Sequence, residues 1–412
     1  SAERAWEKLS QVVVHGAVYD SLERLPHPKC LKDTRMNLLK HIYGFLDNPE
    51  KSQLVWLHGT AGVGKSAVAF TVAERMGDLE VTEETTVTTR LAGTFFFSRK
   101  NTNRRTTGYI FATLGYQLAR NFSSVRSDVS KAIIESPAVL EPSSSVRDQM
   151  EALFLRPLRK LRQRQQNCPP LSFVIDALDE CISEAELAEL ISLLGQALRD
   201  SDLPKLHILL TSRSEAHIRE AMGEEGVHPL VCEIPLKTSG DGVPDTISLD
   251  GADVDNDIYV FLDHSFKNLR GRRPDFPQPT RDQLVQLATR AGRRFIIAST
   301  MMKFIDDGDT DPRDRLHTML HMTSELTSGM DVYQLYDLIL CTCADPDRAY
   351  MHLSVVATLE DPLSASQISK LLGPSRGHDV KTTLGQLRSI MDIPTDRGLP
   401  VNIYHSSVRD YV

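Results

Sequence analysis

The 412-residue sequence lacks the features that would take it outside ordinary globular proteins. It has no run of eighteen apolar residues, so no membrane-spanning helix is expected. Its six cysteines are scattered, and the one close pair, Cys341 and Cys343, lacks the second ligand pair that a zinc site needs. We therefore expect no disulfide framework and a reducing, cytoplasmic compartment. The first ten residues, SAERAWEKLS, are charged and predict a helix rather than a signal sequence.

A net positive charge is also missing, since the formal net charge is −8. This argues against nucleic-acid binding over the whole surface but permits local basic patches. The basic clusters at 156–164 and 270–273 lack the interleaved aromatic residues typical of nucleic-acid sites. We therefore interpret them as solvated faces and do not expect nucleic acid as a partner. The hydrophobic content of 41% is ordinary for a globular protein, and the length suits two to four domains.

What the sequence does contain is a phosphate-binding loop between an apolar strand and a predicted helix. The pattern G-x-x-x-x-G-K-S is filled by Gly59, Thr60, Ala61, Gly62, Val63, Gly64, Lys65 and Ser66. Glycines there allow backbone angles that side chains forbid, and they let amide groups close on a polyphosphate. Lys65 is expected to reach the β- and γ-phosphates, and the Ser66 hydroxyl to ligate Mg²⁺. An ordinary glycine-rich turn is the weaker alternative.

Three carboxylates follow the third predicted strand. Asp176 ends this strand, and in a parallel sheet such an end lies beside the phosphate loop, where it can hold Mg²⁺ opposite Ser66. Asp179 and Glu180 come directly afterwards and could orient or deprotonate an attacking water. Alternatively, these two acidic residues only cap the next helix.

Arginines follow two other strands. Arg213 ends the fourth predicted strand and can approach the γ-phosphate, although a surface salt bridge is an alternative. Arg99, after the second strand, is a weaker candidate for the same role.

Strands alternate with helices throughout 50–236, which predicts a three-layer α/β domain of the P-loop NTPase type with a mostly parallel sheet. The expected strands lie at 54–57, 93–98, 171–175, 206–211 and 231–236. One helix is predicted over 2–24, a linker over 238–257, a helix over 380–390, and a helix-plus-hairpin pattern near the end that is typical of a winged helix. The predicted divisions are an N-terminal helical and linker segment at 1–49, a nucleotide-binding domain at 50–237, a helical domain at 238–330 and a winged-helix domain at 331–412.

Together these blocks resemble the NACHT family of STAND-class P-loop NTPases, most of all its fungal, NLR-like branch. The similar segments are Gly59–Ala67, Phe95–Arg99, Asp176–Glu180 and Thr211–Arg213, with weaker matches at Cys30–Arg35 and His405–Tyr411. One departure lies at Arg293–Ile296, where the family often has Gly-Leu-Phe-Ile.

The resemblance implies particular roles. Thr34 and Arg35 would lie against the adenine, Ala67 would extend the phosphate-binding loop, and His405 would contact the ADP β-phosphate in a closed state. The implied function is an ATP/ADP-binding switch with slow Mg²⁺-dependent hydrolysis, an ADP-held closed state and ATP-driven self-association. Signalling akin to innate immunity or programmed cell death is expected, with effector and sensor domains outside this chain. The alternatives are a fast mechanical ATPase of the AAA+ type and a scaffold with a structural nucleotide.

Overall fold

The computed structural model describes residues 1–77, 91–164, 170–236, 253–324, 330–396 and 398–412. The chain forms two compact units. The first comprises Ser1–Cys30, Arg35–Gly59 and Lys65–Leu236; the second comprises Leu31–Thr34, Thr60–Gly64 and Lys237–Val412. Among the described residues, no helix has both the length and the apolar character to cross a membrane.

The first unit is built on a five-stranded parallel sheet. Its strands are β1 (Gln53–Gly59), β2 (Leu91–Phe96), β3 (Leu171–Asp176), β4 (Leu206–Ser212) and β5 (Val231–Leu236). They lie in the order β2-β3-β4-β1-β5, and every pairing is parallel. Strands β2, β3 and β4 are buried along their whole length, as near-continuous apolar strands in a parallel sheet should be. The α/β P-loop NTPase fold predicted from the sequence is confirmed.

Nine α-helices belong to the described part of the first unit. They are α1 (Ala2–Val12), α2 (Met36–Leu46), α3 (Lys65–Gly77), α4 (Ile110–Asn121), α5 (Ser123–Glu135), α6 (Val146–Met150), α7 (Arg156–Arg164), α8 (Glu184–Arg199) and α9 (Ala216–Gly223). A π-helical turn, Glu151–Leu155, joins α6 to α7.

The N-terminal segment differs from the single long helix that its periodicity predicts. Helix α1 ends at Val12, and the chain continues through short 3₁₀ turns. The backbone N–H of Val14 donates to Thr113 Oγ1 (3.2 Å), and that of Tyr19 donates to Thr94 Oγ1 (3.0 Å). Hydroxyls of the α/β unit therefore satisfy amides that a longer helix would have paired internally. Tertiary contacts override the local helical pattern here.

The second unit is helical with a short hairpin. Its helices are α10 (Asp253–Arg272), α11 (Arg281–Ala291), α12 (Phe295–Ile305), α13 (Pro312–Met322), α14 (Val332–Cys341), α15 (Pro346–Thr358), α16 (Ala365–Arg376), α17 (Val380–Gly385) and α18 (Ser407–Tyr411). Strands β6 (Met391–Asp392) and β7 (Asn402–Ile403) pair antiparallel. Phe266, Met301, Tyr336 and Leu353 belong to one apolar core.

Two boundaries in the second unit correct the sequence prediction. Helix α10 begins at Asp253, inside the predicted linker, while residues 238–252 of that linker lie outside the described residues. A helix that buries Ile258 needs a preceding turn to supply its first backbone hydrogen bonds. The helix predicted over 380–390 ends earlier, at Gly385, a residue type that weakens helices.

Candidate functional site

The phosphate-binding loop joins β1 to α3, the strand–loop–helix arrangement that the motif predicts. Gly62 and Gly64 have φ angles of 79° and 94°, in the left-handed region that favours glycine. A Cβ atom on Gly59 would come within 2.5 Å of the Leu236 carbonyl oxygen, so β5 leaves no room for a side chain there. Lys65 Nζ donates to the carbonyl oxygen of Gly59 (2.8 Å), the first residue of the motif, and this hydrogen bond fixes the end of the lysine side chain.

Within the second unit, Gly62 lies against the start of α12. The backbone N–H of Ile296 donates to the Gly62 carbonyl oxygen (3.1 Å), and a Cβ atom on Gly62 would overlap the Ile296 side chain. Arg293, just before α12, has a φ of 66°, in the left-handed region that favours glycine.

Asp176 lies at the carboxyl end of β3 and is 4% exposed. Thr211 Oγ1 donates to Asp176 Oδ1 (2.6 Å), and the Ser66 hydroxyl also hydrogen-bonds to this carboxylate. Burial raises the pKa of Asp176, although both hydrogen bonds and the charge of Arg24 act in the opposite direction. The structure thus brings together a hydroxyl and a carboxylate, the hard oxygen ligands that Mg²⁺ prefers. This donor set fits the predicted metal site.

Asp179 and Arg213 are joined by one ion pair and one backbone hydrogen bond across the ends of β3 and β4. The backbone N–H of Arg213 donates to Asp179 Oδ1 (2.9 Å), and Arg213 Nε lies 3.1 Å from Asp179 Oδ2. Asp179 is 5% exposed, so water screens this pair little. Arg213 therefore does form a salt bridge, as the alternative interpretation has it, but with a buried carboxylate, and its approach to a γ-phosphate stays a prediction.

Glu180 is held by the loop that follows β2. The backbone N–H of Arg99 donates to Glu180 Oε2 (2.9 Å), and Arg99 Nη2 donates to the Asp179 carbonyl oxygen (2.6 Å). The interpretation that Asp179 and Glu180 cap the next helix is wrong, since Ser183 caps α8 by accepting from the Glu186 N–H. Arg99 therefore hydrogen-bonds to both residues of the acidic pair, Asp179 and Glu180.

Lys65 shares the electrostatic environment of these groups. Burial lowers the pKa of Lys65 to about 8, while the charges of Asp179 and Asp176 raise it and that of Arg213 lowers it. Four residues singled out from the sequence therefore lie within electrostatic reach of one another, and Ser66 joins them through Asp176.

Thr34 and Arg35, the predicted adenine contacts, form a tight turn before α2. Thr34 is 2% exposed, and its hydroxyl donates to the Leu31 carbonyl oxygen (2.7 Å). Arg35 is also buried and has a φ of 56°. Their contact with a nucleotide stays a prediction.

His405 follows β7 in the second unit, and its ring is oriented by two neighbours. The backbone N–H of Ser407 donates to His405 Nδ1 (3.1 Å), and Ser407 Oγ lies 2.8 Å from the same nitrogen. The Tyr336 hydroxyl lies 2.9 Å from Ser407 Oγ. Because Nδ1 accepts, the proton of the neutral ring belongs on Nε2. The His405 ring is thereby set to act as a donor through Nε2.

Sequence reasoning missed three residues around Asp176. Thr211 could have been found, since Ile175 pairs with Leu210 in the parallel register and places Thr211 beside Asp176. Arg24 and Arg104, whose charges act on Asp176, carried no such signal.

Comparison with protein families finds one model, described as Nephrocystin 3, N-terminal, that matches residues 34–213. This span contains the phosphate loop, the Asp176 block and Arg213, but it is less than half of the chain. The match therefore supports a P-loop NTPase domain in this part of the sequence. Curated protein sequences show no match.

Solved structures include distant likenesses that cover most of the chain. The Walker-type ATPase of Pyrococcus abyssi is 16% identical, with a TM-score of 0.43, covering 94% of this chain and 98% of that one. The ORC2 protein of Aeropyrum pernix, solved as ADPNP–ADP complexes, is 11% identical, with a TM-score of 0.42 and coverage of 95% of each chain. The ORC1 protein of the same organism, solved in complex with DNA, is 14% identical, with a TM-score of 0.40 and coverage of 94% of each chain. Similarity at this level assigns no role to the present protein.

Proposed function

We propose that this protein is an ATP/ADP-dependent signalling switch that hydrolyses ATP slowly. The observation that carries the proposal is the buried pair between Asp179 and Arg213. Arg213 is the group expected to sense the γ-phosphate, and Asp179 is a group expected to activate water. While each holds the other, neither is available for its task. The γ-phosphate of ATP would compete with Asp179 for Arg213 and break this pair, whereas ADP would leave it intact. The two nucleotides would thus favour different arrangements at this edge of the sheet.

The remaining roles follow from the same geometry. Lys65 would leave the Gly59 carbonyl oxygen for the β- and γ-phosphates, and the loop amides would bind the phosphate oxygens. Ser66 and Asp176 would hold Mg²⁺, which when bound neutralises charge on the β- and γ-phosphates. Glu180, fixed by the Arg99 N–H, would help to orient the attacking water.

The closed state would be held in part by His405. Its Nε2–H, set by the contacts of Ser407 with Nδ1, would donate to the ADP β-phosphate. One charge-assisted hydrogen bond stabilises by about 1.5–3 kcal/mol. Moving a two-state equilibrium from one side to the other takes about 5.5 kcal/mol. Arg213, the Thr34–Arg35 segment and packing between domains must therefore contribute as well.

The domain division that accompanies this function is part of the proposal. Residues 50–237 bind the nucleotide, 238–330 form the helical domain and 331–412 the winged helix, with β6 and β7 as its wing. Residues 1–49 connect to an effector domain outside this chain. Exchange of ADP for ATP would allow self-association in the cytoplasm, in signalling of the fungal, NLR-like kind.

Nucleotide binding and turnover by the parent and by Lys65→Ala test this function. We expect the parent to bind ADP and Mg–ATP and to turn over below about 0.01 per second, a rate typical of switch NTPases. Lys65→Ala should weaken both nucleotides by about 100-fold, because it removes a cation that contacts two phosphates. The control Lys160→Ala removes a lysine of α7 that pairs with Asp128 of α5, and this variant should bind nucleotide like the parent.

Two other outcomes favour the alternatives. Turnover above about one per second would favour a mechanical ATPase. Self-association that is unchanged in Lys65→Ala, by light scattering, would favour a scaffold in which nucleotide is only structural.

A further inference from the structure

Two arginines that no motif includes lie on the β2 side of Asp176, and both are anchored to Phe96. Phe96 is the last residue of β2 and the register partner of Asp176 in β3. The Arg24 guanidinium carbon lies 3.7 Å from the centroid of the Phe96 ring, and Arg104 Nε donates to the Phe96 carbonyl oxygen (2.9 Å). Arg24 comes from the N-terminal segment and Arg104 from the loop after β2, so two separate parts of the first unit converge here.

Neither guanidinium is neutralised by a direct ion pair within the described residues. Arg24 Nη1 donates to the backbone carbonyl oxygens of Tyr19 (3.0 Å) and Val18 (3.4 Å). Arg104 uses its Nε on a carbonyl oxygen as well. Carbonyl groups orient a guanidinium but do not cancel its charge.

Burial has a cost for both cations. It lowers the pKa of Arg24 to about 10, with the charge of Asp176 raising it and that of Arg104 lowering it further. Burial also lowers the pKa of Arg104, against the charges of Asp176, Glu23 and Glu180. Both residues stay charged at neutral pH, and they repel each other. A buried like-charge pair of this kind is stabilised when an anion is placed between or beside the two groups.

Asp176 does not serve as that anion through direct contact, since its described hydrogen bonds come from the hydroxyls of Thr211 and Ser66. An additional anion beside Asp176 would therefore meet Arg24 and Arg104 on the β2 side and Arg213 on the β4 side. In a P-loop site, the group expected beside the Mg²⁺ carboxylate is the terminal phosphate of ATP. Guanidinium groups suit it because their planar N–H pairs match phosphate oxygens.

We propose that Arg24 and Arg104 bind the terminal phosphate of ATP, so that the N-terminal segment and the β2 loop distinguish ATP from ADP together with Arg213. This inference rests on the proposed function, and it assigns the triphosphate specificity to residues outside the recognised motifs. It also gives the N-terminal segment a role, because Arg24 connects the presence of a third phosphate to the chain that would lead to an effector domain.

A purely structural role is the competing explanation. Arg24 could simply fasten the N-terminal segment to the ring of Phe96, in which case its loss would weaken the fold and both nucleotides alike. The test must therefore compare two nucleotides that differ only by the terminal phosphate.

The experiment is calorimetric titration of ADP and of a non-hydrolysable ATP analogue, each with Mg²⁺, into the parent, Arg24→Ala and Arg104→Ala, after any nucleotide that copurifies has been removed from each protein. We expect the analogue to bind about 10- to 100-fold more weakly to each variant, as for one lost hydrogen bond to a charged group, with ADP affinity unchanged within about twofold. Arg126→Ala is the matched control, because Arg126 lies over the ring of Trp6 (4.5 Å to the centroid) in the same unit. It should change neither affinity.

Equal losses for both nucleotides, or no loss for the analogue, would overturn the proposal. If an alanine variant fails to fold, Arg24→Lys and Arg104→Lys keep the charge without the planar fork, and a selective loss for the analogue is again expected. Selectivity unchanged in the lysine variants would likewise count against it. Absence of nucleotide binding by the parent would contradict the proposed function itself, which separates the two failures.

Discussion

Two buried carboxylates of the first unit, Asp128 and Asp176, each have at least two cations nearby, but only Asp128 forms direct ion pairs with them among the described residues. Asp128 is bound directly: Arg164 Nη1 and Nη2 lie 2.6 and 3.1 Å from its two oxygens, and Lys160 Nζ lies 3.1 Å away. Around Asp176 the carboxylate accepts from hydroxyls instead, and the arginines are held on Phe96. The cations around Asp128 therefore contact the carboxylate directly, whereas the arginines near Asp176 contact Phe96 instead.

The directions of the pKa shifts express this difference. Burial alone would raise the pKa of both carboxyl groups. At Asp128 the hydrogen bonds from Arg164 and Lys160 outweigh burial, and the pKa is lowered. At Asp176 burial prevails and the pKa is raised. The cations of α7 are paired directly with Asp128, whereas Arg24 and Arg104 interact with the charge of Asp176 without a direct ion pair to it among the described residues.

The variant Asp176→Asn should change nucleotide affinity most, and it tests the difference between the two carboxylates. The change removes a carboxylate that would hold Mg²⁺, and we expect Mg–ATP affinity to fall by about 100-fold, the upper end for disturbed metal sites. Because burial raises the pKa of Asp176, a neutral amide should leave the free energy of unfolding unchanged or increase it. Calorimetric titration and denaturant unfolding measure the two quantities.

Asp128→Asn is the matched control with the opposite expectation. Arg164 and Lys160 lose a charged partner, so the free energy of unfolding should fall by about 1–2 kcal/mol, and nucleotide affinity should not change. If Asp128→Asn weakened Mg–ATP binding, or if Asp176→Asn were the destabilised variant, the contrast between the two carboxylates would be wrong.

A smaller effect concerns a buried cation in the second unit. Lys303 Nζ lies 3.3 Å from the ring centroid of Tyr404, and burial lowers the pKa of Lys303 to about 8, against the charge of Asp392. Below pH 8 the lysine is charged in both the folded and the unfolded state, so the cost of burial is fully present. As the pH rises from about 8 toward 10.5, the folded state loses its proton first and this cost disappears.

The measurement compares the parent with Lys303→Met across this range. The free energy of unfolding of the parent, relative to the variant, should rise between pH 8 and pH 10. A difference that stays flat or falls would show that a cation held against an aromatic ring bears no burial cost in this protein.

The sequence predicted those parts of the site that depend on local chemistry. A strand, eight constrained residues and a helix are contiguous, so the phosphate loop could be identified without tertiary information. Asp176 and Arg213 could be placed because parallel strands end at one edge of a sheet. The pairing of Arg213 with Asp179 was not predicted, since both residues were assigned to a ligand rather than to each other.

The remaining contributions depend on long-range contacts that no local pattern reports. Arg24 lies in a segment whose periodicity predicts a helix, and only its position over Phe96 shows its connection with the site. Arg104 belongs to the loop at 99–105, which is rich in basic residues, as α7 is. The structure distinguishes this loop from α7, because Arg159 and Arg164 of α7 have acidic partners at ion-pair distance, whereas Arg104 has none among the described residues.

The most direct test of the switch is the nucleotide that the purified protein carries. Denaturing the protein and quantifying the released nucleotide by chromatography should give close to one ADP per chain, because a switch held closed by ADP releases it slowly. Finding no nucleotide would contradict this account, as would finding bound ATP in a protein that remains monomeric.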